Sequence, residues 1–205
     1  MKKPSYSDRV ANEIKHYKQI FKHGLFQEVP SIWNEVERKF GDKIEAKIGV
    51  RGLPEYIAKE LKGCKTAKVL SLGSGACGVE LLAIAPRLTE QGCTIELTSV
   101  DINGDVISQA EREAKRRGVK FVGMTQDINE LKLKPNEYDV IMAYAALHHF
   151  EKIDHVAREI NKALKSKGIF VTVDISSRNG YKLWDEAKGL IGAIWKVLPA
   201  KYKWD

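Results

Sequence analysis

The sequence predicts an α/β fold: a mainly parallel β-sheet between layers of helices, with a helical extension in front. Three observations carry this reading. Apolar runs of strand length recur from Lys68 onward, helical stripes separate them, and the first run leads into a glycine-rich turn. Such alternation gives a parallel sheet covered on both faces, and ligands bind at the carboxyl ends of its strands.

The first 65 residues read as helices. Val10, Ile14, Tyr17 and Phe21 recur at helical spacing, as do Ile32, Trp33, Val36 and Phe40, the second stripe entered through Pro30 and a capping Ser31. A short third helix starts at Pro54 and stops at Gly63. No strand is expected before Lys68, so residues 1–65 are read as a helical cap and residues 66–205 as the sheet domain. Strand one is Lys68–Leu72 and strand two Thr94–Val100. A helix marked by Val106, Ile107, Ala110 and Ala114 ends at Gly118. Lys120–Met124 is a third strand, and Tyr138–Tyr144 a fourth, apolar enough to be covered on both faces. Val156, Ile160 and Leu164 mark a helix, Gly168–Ile175 a fifth strand, and Trp184 to Leu198 a last helix ended by Pro199. Pro86 falls inside the helix after the glycine turn, where it should kink or end it.

Composition bounds the function. With 205 residues, 43% hydrophobic and 30% charged, the chain suits one well-buried globular domain. No apolar stretch approaches the ~20 residues of a membrane span, and the amino-terminal lysines have no apolar core behind them. The cysteines Cys64, Cys77 and Cys93 have no metal-ligand spacing and fit a reducing, cytoplasmic setting. A net charge of +7 raises nucleic acid as a partner. Its densest cluster, Arg112, Lys115, Arg116, Arg117 and Lys120, lacks interleaved aromatics and reads as a solvated helix end.

The strand ends carry the chemistry. After strand one, Gly73, Gly75 and Gly78 stand as G-x-G-x-x-G, a turn that lets backbone pass close to a ligand. Strand two ends at Asp101, where a carboxylate accepts ribose hydroxyls, while Asn103 or Asp105 caps the next helix. Asp127 and Ile128 follow strand three, an acceptor for the exocyclic amine of adenine beside an apolar cover. His148 and His149 follow strand four. Glycine turn and first acid alone admit two cofactors, a nicotinamide dinucleotide or S-adenosylmethionine.

The segments VLSLGSGACG, SVDIN, TQDINEL, YDVIMAYAALHHF and ALKSKGIFVTVD, taken in order, resemble the class I S-adenosylmethionine-dependent methyltransferases. The resemblance implies a Rossmann-like αβα sandwich and transfer of a methyl group from S-adenosylmethionine. It sets Gly73, Ser74, Gly75 and Gly78 near the methionine part, Asp101 on the ribose, and Ile102, Asp127 and Ile128 around the adenine. Tyr144 and Ala145 line the passage to a small-molecule acceptor. For a hydroxyl acceptor the candidate bases are His148 and His149, with Asp174 a further one, and Tyr6 and Tyr17 are placed to gate the cofactor. Trp33, Trp184 and Trp195 are expected in core packing or along an acceptor pocket. PSIWNEVE and WDEAKGLIGAIWKVLPAKYKW look like stretches of bacterial methyltransferases of glycan synthesis, so a sugar hydroxyl is the expected acceptor class. The family's usual closing β-hairpin is not apparent. Strand five would then be an exposed edge, to be covered by more of a longer polypeptide or by a second chain. The alternatives are an NAD-dependent oxidoreductase and a non-catalytic methyltransferase-like scaffold or nucleic-acid-binding module.

Overall fold

The computed structural model describes residues 5–20, 31–174 and 184–203, with the side chains of 13, 16–20, 31 and 201 left aside. The Tyr17 side chain, Phe21, the Ser31 cap and Ile175 thus lie outside the described residues. Five strands, β1 (Thr66–Leu72), β2 (Thr94–Asp101), β3 (Lys120–Thr125), β4 (Tyr138–Tyr144) and β5 (Leu164–Val173), form one sheet in the order β3-β2-β1-β4-β5. Every pairing is parallel. The helices are α1 (Tyr6–Ile20), α2 (Ser31–Ile48), α3 (Leu53–Glu60), α4 (Ala85–Glu90), α5 (Gly104–Arg116), α6 (Ile153–Ala163) and α7 (Asp185–Val197).

Two compact units make up the chain, residues 1–27 with 53–174, and residues 28–52 with 175–205. The first holds the sheet. Adjacent strand residues point to opposite faces, so β1 sends Val69 into one core and Leu70 and Leu72 into the other, and β4 divides Val140 and Met142 from Ile141 in the same way. Residues of α3, α4 and α5 fill the first core, and Val156, Ile160 and Ala163 of α6 fill the second. This is the expected αβα sandwich. The order reverses between β1 and β4, which puts the ligand crevice of such a sheet at their carboxyl ends.

Local departures from the expected elements have physical causes. β1 begins two residues early, at Thr66, where it pairs with Thr94. Leu164 continues the apolar stripe of α6 but caps that helix and opens β5. The β4–β5 register then shifts, from Tyr138 opposite Leu164 to Val140 opposite Ile169. Gly168 sits in this bulge, where an added Cβ would lie 2.8 Å from the Tyr138 carbonyl oxygen. Pro86 does not end its helix: Ile84 and Ala85 keep helical backbone. The turn before Pro86, Glu80–Ile84, is a π-turn closed by Ala85 N–H to the Glu80 carbonyl, and α4 follows directly with Pro86 in its first turn.

The second unit holds α2 and α7. Here the core expectation fails: Trp33 is 47% exposed, Trp184 60% and Trp195 45%, and Val36, Phe40, Ile191 and Ile194 are also exposed. The stripes formed as helices, but their apolar residues stay largely exposed and build no core. The basic cluster is a solvated face, since Arg116 and Arg117 both pair with Glu113 and Lys120 pairs with Glu96. No helix among the described residues is long and apolar enough to cross a membrane.

Candidate functional site

The turn after β1 is built around backbone that only small residues tolerate. Gly73 has φ +64°, and an added Cβ would come 2.7 Å from the Cβ of Ala146, so this turn and the loop after β4 touch through the missing side chain. The residue before Ala146, Ala145, has φ +50°, and its N–H is held by the Val173 carbonyl at 2.7 Å. The Ser74 and Ser99 hydroxyls hydrogen-bond behind the turn. Burial pushes the Cys77 thiol up to about 12, which removes it as a nucleophile.

Asp101 is the last residue of β2 and fixes the turn. Its Oδ2 accepts the Gly75 N–H at 2.9 Å and its Oδ1 the Asn103 N–H at 2.8 Å. Burial raises its pKa, and these two backbone donors pull the other way. Asn103, as expected of one of the two candidates, caps α5 by accepting from the Asp105 N–H.

Asp127 opens a short turn after β3, its Oδ1 accepting the Asn129 N–H at 2.8 Å. Its Oδ2 accepts the Tyr6 hydroxyl of α1 at 2.6 Å, and Asn129 Nδ2 donates to the same Tyr6 oxygen at 3.1 Å. Arg9 of α1 pairs with Glu151 at 2.7 Å. Asn129 was not apparent from sequence, yet it is buried and its Oδ1 also accepts the N–H groups of Glu151 and Lys152. Its one legible sign was its place two residues after an acid at a strand end.

After β4, His148 and His149 stack at 4.0 Å between ring centroids, tilted by 43°. His148 Nδ1 lies 2.8 Å from Asp174 Oδ1, and its backbone N–H donates to Asp174 Oδ2. Asp174, read from sequence as a separate base candidate, is therefore the partner of a histidine.

These groups line one cavity of about 570 Å³, in the usual range for a small-molecule site. Its wall includes Gly73, Ser74, Gly75 and Gly78; Asp101 and Ile102; Asp127 and Ile128; and Tyr144, His148 and His149. Tyr6, Arg9, Val10 and Ile14 of α1 complete it. The sequence-predicted cofactor residues and both histidines thus meet at one place, while Asp174 is not on this wall and contacts His148 instead. The donor set fits S-adenosylmethionine: carboxylates at two strand ends for hydroxyls and an amine, and isoleucines beside each for an aromatic base. A third carboxyl, Glu80, lines the wall by the glycine turn and had no sequence signal.

The model of a methyltransferase domain matches residues 64–202. The uncharacterized methyltransferase YcgJ of Bacillus subtilis is 32% identical over 108 residues, 52% of this chain and 40% of that protein. The sterol 4-C-methyltransferase strm-1 of Caenorhabditis elegans is 26% identical over 176 residues, 81% of this chain and 48% of that one. The chain therefore spans less than half the length of these two curated relatives. Among solved structures, the [4+2]-cyclase SpnF superposes with a TM-score of 0.53 at 17% identity, over 82% of this chain and 56% of that one, a likeness of fold alone. A family match over more than half of the sequence, on a sheet and cavity of this kind, sets the nicotinamide alternative aside: the chain belongs to the methyltransferase-domain family.

Proposed function

We propose that the protein methylates a hydroxyl group of a small-molecule acceptor, with a sugar or glycan precursor as the acceptor class, and that His148 is the base. The observation that supports this most is the 2.8 Å contact between His148 Nδ1 and Asp174 Oδ1 at the wall of the cavity. An Nδ1–H donated to Asp174 fixes the tautomer, makes Nε2 the basic nitrogen and stabilises the imidazolium that forms when it takes the hydroxyl proton. When bound, S-adenosylmethionine supplies a methyl group on a positively charged sulfur whose thioether departs without an acid.

The remaining roles are positional. Gly73, Ser74, Gly75 and Gly78 surround the methionine part, Asp101 accepts from the ribose, and Asp127 accepts the adenine amine between Ile102 and Ile128. Tyr144 borders the passage to the acceptor. His149, packed on His148, is its orienting neighbour and the second base candidate. α1 closes the cavity over the cofactor through Tyr6. Alignment and exclusion of water supply most of the rate in a displacement of this kind.

The test is methyl transfer from labelled S-adenosylmethionine to a panel of sugars, nucleotide sugars and phenols, followed by variants on the best acceptor. His148→Ala should lower kcat by about 100-fold or more with the Kd for S-adenosylhomocysteine unchanged. Asp174→Asn should act in the same direction and displace the pH–rate profile. Wild-type kcat in His148→Ala removes the base assignment, and methylation confined to carbon or nitrogen acceptors removes the acceptor class.

A further inference from the structure

Glu80 is 2% exposed, yet it lines the cavity beside the glycine turn. It is the first residue of the π-turn that precedes Pro86. The Ser71 hydroxyl, on β1 and itself fully buried, donates to its Oε1. Burial raises its pKa, and besides Ser71 its own backbone N–H donates to the carboxyl. Neutral donors orient a carboxyl but do not neutralise it, and burying the charged form without a cation is costly. The fold thus holds, on the cavity wall by the turn, a buried carboxyl whose ionised form needs a counter-ion.

A ligand of the methionine type brings one cation that suits this place, its α-ammonium group. We propose that Glu80 is a specificity-determining residue of the cofactor subsite and takes that ammonium as its counter-ion, oriented by Ser71. The proposal rests on the S-adenosylmethionine reading of the cavity and deepens it: the turn admits the backbone of the ligand, and Glu80 selects for its amino group. Removing one partner of a buried charge pair leaves the other uncompensated, so the selectivity should be large.

Calorimetry on the full chain separates the outcomes. The probes are S-adenosylhomocysteine, its desamino analogue and 5′-methylthioadenosine, which lacks the amino-acid part. Wild-type protein should bind the desamino analogue roughly 30-fold or more weakly than S-adenosylhomocysteine. Glu80→Gln, which keeps the acceptor for Ser71, should weaken S-adenosylhomocysteine by a similar factor. It should leave the desamino analogue and 5′-methylthioadenosine within about 3-fold of wild type. Equal losses on all three probes, or no loss on any, would overturn the proposal. Should Glu80→Gln fail to fold, a fourth probe on wild type decides: decarboxylated S-adenosylhomocysteine, which keeps the amine, should bind more tightly than the desamino analogue, and the reverse order refutes the idea. Failure of the wild type to bind S-adenosylhomocysteine at all would instead refute the cofactor reading beneath it.

Discussion

The same tripeptide, Asp-Ile-Asn, stands at two strand ends, Asp101–Asn103 after β2 and Asp127–Asn129 after β3. Each aspartate folds its Oδ1 onto the N–H two residues on, at 2.8 Å in both cases. The second carboxylate oxygens differ. Asp101 Oδ2 accepts from the backbone of the glycine turn, whereas Asp127 Oδ2 accepts from a side chain of α1, 121 residues away in sequence. The asparagines differ as well. Asn103 caps a helix, and its Nδ2 is buried with no hydrogen-bond partner among the described residues. Asn129 bonds through both ends and ties the loop before α6 to the site. One carboxylate is thus locked to the sheet. The other is locked to a helix that meets this wall through Tyr6 and Arg9.

If that contrast holds, the first carboxylate matters most. Asp101→Ala should weaken S-adenosylhomocysteine by on the order of 100-fold in calorimetry, because it removes a charged acceptor and frees the turn it holds. The pH dependence has a definite sign. Burial raises the Asp101 pKa, so as pH falls the acceptor is protonated before an ordinary aspartate would be. Affinity should therefore drop on acidification at a pH above the usual aspartate value of 3.8, and Asp101→Asn should flatten that limb. An unchanged profile in the variant breaks the argument. Asp127→Ala comes next, at roughly 10-fold, since it loses one charged hydrogen bond without disturbing the sheet. Losses of equal size at the two positions would mean that the difference in anchoring has no energetic consequence.

The sheet was largely legible because its signals are local. Tyr138–Tyr144 stands as predicted, since a short, nearly all-apolar run ahead of the α6 stripe reads as a strand covered on both faces. Leu164 misled because periodicity alone does not separate the last turn of a helix from the first residue of a strand that follows without a loop. The glycine turn, Asp101, Asp127 and the histidines were legible because strand ends converge by topology. Sequence marks Tyr6 as a gate but gives it no partner, as nothing local links it to Asp127. Glu80 reads in sequence as one more helical glutamate, and neither its burial nor the π-turn it opens has a local signal. The helical stripes of α2 and α7 predicted helices correctly and burial wrongly, since an apolar stripe states which face seeks cover and not what provides it.

The smallest effect is the sharpest test of the contrast, because its sign is opposite to the others. Tyr6→Phe keeps the ring on the cavity wall and deletes only the hydroxyl that donates to Asp127 Oδ2. That oxygen is the one a ligand amine would seek, so the hydroxyl and the ligand compete for it. Losing the competitor should tighten S-adenosylhomocysteine by a few-fold, about what one net hydrogen bond is worth. Losing the tether should also loosen α1, leaving the Arg9–Glu151 pair, which is exposed and worth little, to hold it here. Limited proteolysis should then cut the first 27 residues faster in Tyr6→Phe than in wild type, and added S-adenosylhomocysteine should not restore protection. Weaker binding together with unchanged proteolysis would show that Tyr6 serves the bound state. Asp127 would then be as fixed as Asp101, and the two tripeptides would be equivalent in more than sequence.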